Sequence, residues 1–170
     1  MAELRSTLIE FFNQSFLRES SADLLRNVPG LPPILQTIHL LGAAILLGSV
    51  VMFCLRLLSV AARNQDPLEM RRRLYPWFIA ALPVMLFSAL PFFLARPQRY
   101  LTNPVFDIKM AVLTITLGLS FWLWQRSRTV SADTISVSLR LHALLVTAGW
   151  ILTVLAGRWI AYADYIFWTG

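Results

Sequence analysis

Four ionisable side chains lie inside or at the ends of apolar stretches of this chain, and any chemistry would begin with them: His39, Lys109, His142 and Arg158. Such groups are expensive to hold at membrane depth, and their default role is to bind, to relay protons or to join helices. An imidazole can ligate haem iron or another metal, or share a hydrogen bond with a carbonyl or hydroxyl. An ammonium and a guanidinium can neutralise a carboxylate or a phosphate. Asp107 stands beside Lys109, and Tyr162 follows Arg158 by one helical turn.

The elements that must position these groups are apolar stretches at about 31–55, 74–95, 105–124 and 139–162. Each approaches or exceeds the ~20 residues that a helix needs to cross a bilayer. Lipid offers no partner for backbone polar groups, so the stretches are expected to be helices. The expected fold is an all-α integral membrane protein. A four-transmembrane-helix bundle over 31–170 follows an N-terminal amphipathic segment over 1–30. The chain has 170 residues, 57% hydrophobic and 14% charged, with mean hydropathy +0.62, which suits one bundle with short loops. The net charge of +6 does not imply nucleic acid, because the basic residues stand mostly in loops, where they meet anionic lipid. Cys54 is the single cysteine and can form no intrachain disulfide. Leu8–Phe12 is too short and polar-flanked for a signal peptide. Nucleotide loops, zinc-type cysteine pairs, nucleophile elbows and paired intramembrane carboxylates are lacking, so no catalytic residue is assigned.

Basic loops orient the bundle. The first connection carries Arg56, Arg63, Arg71, Arg72 and Arg73 against Asp66 and Glu69, and the third carries Arg126, Arg128 and Arg140 against Asp133. The N-terminal segment is slightly acidic, with Glu3, Glu10, Glu19 and Asp23 against Arg5, Arg18 and Arg26. The positive-inside rule then puts the first and third loops in the cytoplasm and both termini outside, although Arg96 and Arg99 in the middle loop lessen the contrast. His39 would lie roughly 10 Å below the outer edge of span one. Lys109 would lie about one turn into span three, with Thr116 and Ser120 continuing its face. Arg158 and Tyr162 would mark the outer end of span four.

Taken singly, Lys109 and Arg158 are snorkelling anchors at helix ends. His39 cannot snorkel well and is expected inside the bundle. Arg56 reads as a topological anchor and His142 as an interfacial polar residue near the inner end of span four. His39 and His142 would sit on opposite sides of the membrane, so one haem cannot use both within a subunit. Met85 and Met110 are weak axial alternatives. Gly42, Ala43, Ala44, Gly48 and Ser49 on span one, with Gly149 and Ala156 on span four, mark close helix contacts. Pro83 should kink span two. Trp77, Trp122, Trp124, Trp159, Tyr162 and Trp168 suit an aromatic belt. Leu4, Leu8, Phe11 and Phe12, then Phe16, Leu17, Leu24 and Leu25, suggest an amphipathic helix broken around Ser20–Ser21. It would lie in the interface or pack on the bundle's end, before a turn at Pro29-Gly30.

Five runs together resemble a family. They are Gln36-Thr37-Ile38-His39-Leu40-Leu41-Gly42, Gly48 followed by Leu55-Arg56-Leu57-Leu58, Leu74-Tyr75-Pro76-Trp77, Asn103-Pro104-Val105-Phe106-Asp107-Ile108-Lys109, and Gly157-Arg158-Trp159-Ile160-Ala161-Tyr162. The chain resembles, over nearly its whole length, a group of small bacterial inner-membrane proteins assigned to a domain of unknown function. His39, Arg56, Lys109, Arg158 and Tyr162 match that group's pattern; His142 is outside it. The chain departs at Ser88-Ala89, where Thr-Gly is usual, and at Pro83 and Pro91. The resemblance implies a four-helix inner-membrane fold and no particular activity.

Three functions remain open. In the first, the bundle binds haem b or a quinone in its outer half as an electron-transfer-type subunit. His39 would ligate or hydrogen-bond, and Lys109 and Arg158, with Tyr162 and Asp107 nearby, would meet an anionic portion. A metal would use His39. In the second, the chain is a non-catalytic accessory or scaffold subunit, as a homo-oligomer or within a larger membrane complex. The third, a small transporter or metal-handling permease, is disfavoured by the thin pathway of four spans without oligomerisation and the lack of a buried acidic relay.

Overall fold

Each apolar run begins at a residue suited to starting a helix. Gly30, in the left-handed region at φ 79°, turns the chain into α3 (Leu31–Leu57), whose first turn holds Pro32 and Pro33. Asp66 caps α4 (Pro67–Ala95), its Oδ2 accepting from the Glu69 amide at 3.0 Å. Asn103 Oδ1 accepts from the Val105 amide at 2.9 Å at the start of α6 (Pro104–Arg126), and Ser136 Oγ caps α7 (Val137–Trp159) through the Leu139 amide. The N-terminal helices are α1 (Ala2–Asn13) and α2 (Phe16–Asn27), and α5 (Pro97–Leu101) is a short connector between α4 and α6. This computed structural model describes residues 2–130 and 135–162; Asp133 and Trp168 lie outside the described residues.

Among the described residues, α3, α4, α6 with the turn that follows it, and α7 are long and apolar enough to cross a membrane. The helix carrying span two starts at Pro67 rather than near 74, because the Asp66 cap extends it through the arginines. It remains helical through Pro76, Pro83 and Pro91. The chain breaks at Gln14–Ser15 rather than Ser20–Ser21, which lie within α2. α2 packs on α4, and Phe12 meets Phe93 edge-on with centroids 5.5 Å apart. The N-terminal helices therefore close one end of the bundle, while Phe11, Phe16, Leu17 and Leu24 still face outward.

α3 packs chiefly on α4 and α6 on α7, with α3 also touching α7. Close approach uses small residues, as expected where lipid removes the hydrophobic drive between helices. A methyl on Gly42 would come 3.1 Å from Val84 Cγ1, and one on Gly149 would collide with the Thr116 side chain. Gly48 does not belong to this set: it faces open space. The large buried apolar side chains gather in one half of the bundle. Val50, Phe53, Leu57, Phe78, Leu123, Trp124, Val146 and Trp150 form that core. Trp124 stacks on Phe53 at 4.4 Å and is 1% exposed, so it is a core residue and not part of an aromatic belt. Trp150 Nε1 donates to Ser120 Oγ at 3.0 Å, tying α7 to α6.

Arg56 lies at the end of this core and is 4% exposed, so it is no surface anchor. Its Nε donates to the Gln65 carbonyl at 2.6 Å, across a turn in which Ser59 and Ala62 adopt positive φ. A buried guanidinium thus fixes a connection whose backbone is conformationally costly.

Candidate functional site

The opposite half of the bundle is built differently. Its buried residues are mostly small or polar: Gly42, Ser88, Asn103, Val105, Thr153 and Ala156. His39 is half-buried there on α3. Its Nδ1 lies 2.9 Å from Ser88 Oγ on α4. Ser88 Oγ also lies 2.7 Å from the Val84 carbonyl and 3.1 Å from that of Met85, both of which can only accept. The hydroxyl proton satisfies a carbonyl and an oxygen lone pair takes the Nδ1 proton, the tautomer this network favours. Nε2 then carries the lone pair.

Lys109, from the second turn of α6 and also half-buried, lies close enough for its ammonium to act electrostatically on that imidazole. It packs over Gly157 on α7: a methyl there would lie 3.6 Å from Lys109 Cε and 3.7 Å from Nζ. One residue from each membrane-length helix therefore builds the site: His39, Ser88, Lys109 and Gly157. An imidazole and a flexible cation near one another can together engage a ligand bearing both a hydroxyl and a carbonyl or anionic oxygen.

The remaining candidates divide. Arg158 is exposed, and its Nη2 donates to Tyr162 Oη at 3.3 Å, with the guanidinium 5.4 Å from that ring's centroid. This pair neighbours the site through Gly157, but no contact joins it to His39 or Lys109 among the described residues. Asp107 is half-buried in the first turn of α6. Met85 packs where α4 meets Gly42, and Met110 is 41% exposed. His142 stacks on Trp122, centroids 3.7 Å apart, toward the other end of α7. Sequence reasoning missed Ser88 as the histidine's partner and Gly157 as the lysine's bed.

A family model described as "Family of unknown function (DUF6644)" matches residues 30–163, which take in all four membrane-length helices. No curated protein and no solved structure matches the chain.

Proposed function

The chain belongs to that family of unknown function, so its activity has to be read from the site, and we propose that it binds a membrane-soluble quinone-type ligand between His39 and Lys109. The observation that carries this reading is the oriented imidazole. Ser88 meets Nδ1, which assigns the acceptor role to Nε2, and Lys109 is near enough to act on the ring. A quinol hydroxyl would donate to Nε2, and the Lys109 ammonium would donate to a carbonyl oxygen or neutralise an anionic one. Ligand would enter from lipid, since Leu40 and Leu41, beside His39, are both mostly exposed. The redox chemistry belongs to the quinone; the chain's part is to bind it, orient it and hold a proton at Nε2. We place the site in the periplasmic half of an inner membrane, on the charge asymmetry of the loops.

Haem b is the second reading, and the same hydrogen bond favours it. With a hydroxyl on Nδ1, His39 would hold the haem iron through Nε2, and Lys109 would neutralise an anionic edge of the group. His142, stacked on Trp122, contributes nothing to that site.

The deciding experiment purifies the protein mildly, records its absorption spectrum, and extracts bound lipid-soluble molecules for mass spectrometry, beside His39→Ala and Lys109→Gln. The expected result is a co-purifying quinone that both variants lose while keeping their helicity. A Soret band lost with His39→Ala would select haem. Equal ligand content in all three proteins, with the variants less stable, would leave a scaffold subunit in which His39–Ser88 merely ties α3 to α4.

A further inference from the structure

Away from the His39 site, the end of the bundle closed by α1 and α2 contains a cleft of about 480 Å³ between α2 and the α4–α5 corner. Its walls are unusually cationic. Arg18, Ala22 and Arg26 recur at intervals of four on α2 and so form one row, with the small Ala22 leaving room between two guanidinium groups. Arg96, at the end of α4, and Arg99, on α5, face them. None of the four has an ion-pair partner among the described residues; Arg18 reaches only the Asn13 carbonyl, at 3.5 Å. Glu19 and Asp23 line an adjoining cleft that Arg18 and Arg26 also border. The fold thus brings like charges from three elements together, an unfavourable arrangement unless an anion bridges them.

The depth and remaining walls of the cleft identify the anion. α2 ends just before the Gly30 turn into the membrane, and Leu17 and Leu24 on it face outward, as on a helix lying at an interface. The cleft therefore sits at head-group depth, and Phe92 and Leu25 give it an apolar flank. We infer that this cleft binds a phosphate group, held as the head group of an anionic phospholipid whose chain runs along that flank. The inference stands independently of the quinone-type site.

Native mass spectrometry of the detergent-purified full chain, offered equal amounts of phosphatidylglycerol and phosphatidylcholine, tests it. Wild type is expected to retain phosphatidylglycerol preferentially, and Arg26→Gln/Arg99→Gln to weaken that preference about tenfold or more. Arg63→Gln/Arg72→Gln removes the same charge at the opposite end and should leave the preference intact. No preference in wild type, or equal loss in both double variants, would overturn the site. Competition with inorganic phosphate distinguishes the sources: displacement by millimolar phosphate assigns a soluble phosphate ester, and resistance assigns the lipid. Both results support a phosphate site. The four arginines are exposed, so circular dichroism should show both double variants folded.

Discussion

At the residue scale, the functional reading turns on one proton. Ser88 fixes which imidazole nitrogen of His39 carries it, and hence which nitrogen can face a ligand. Removing the hydroxyl should therefore act as a partial loss of His39 itself. Ser88→Ala is expected to lower ligand content about tenfold, within the range found when a histidine loses its orienting partner. It should cost only about 1 kcal/mol of stability, the order of an interhelical hydrogen bond in a membrane. Ser88→Thr keeps the hydroxyl and should retain ligand. Extraction and quantification of bound ligand, beside unfolding in mixed detergent, separates the two effects. Equal ligand in wild type and Ser88→Ala would leave the hydrogen bond as packing alone.

At the element scale, helix contact depends on where a missing side chain is used. Gly149 lets α7 settle on Thr116, whereas Gly48 faces open space. Gly149→Ala should destabilise the bundle by about 1–3 kcal/mol through overpacking. Gly48→Ala should be neutral or stabilising by up to about 1 kcal/mol, since it relieves only the entropic cost of glycine in a helix. Unfolding midpoints of the two variants in one detergent would test the contrast, and equal effects would refute it. The start of α4 provides a second case. Asp66→Ala loses the cap on the Glu69 amide and should cost about 1 kcal/mol, with Asp66→Asn restoring most of it. The same measurement would show whether the aqueous turn of α4 depends on that cap.

At the scale of the whole molecule, the two halves of the bundle have different compositions. The Arg56 half holds the stacked aromatic core, and the His39 half holds small and polar residues beneath the N-terminal helices. Such a division suits the proposed binding role, with a densely packed half holding the helices that carry His39 and Lys109. The proposed orientation puts the His39 half outside. Gln65→Cys and Gln98→Cys lie in connections at opposite ends, both exposed, while the native Cys54 is buried. A membrane-impermeant thiol reagent applied to intact cells should label Gln98→Cys and spare Gln65→Cys. The reverse pattern would invert the topology and move the His39 site to the cytoplasmic half.

Much of the architecture was legible in the amino-acid order. Long apolar runs must be helical in lipid, whereas the caps Asp66, Asn103 and Ser136 that start three of them emerged only in the structure. His39 and Lys109 stood out because charge and imidazole are costly at that depth. Only the packing of helices decided the rest. Periodicity says which residues share a face, not which neighbour that face meets. It could not show that Trp124 and Arg56 are buried, that Gly48 lies open, or that Ser88 and Gly157 complete the site. Those facts arise from contacts between residues far apart in the chain, which local physics leaves undetermined.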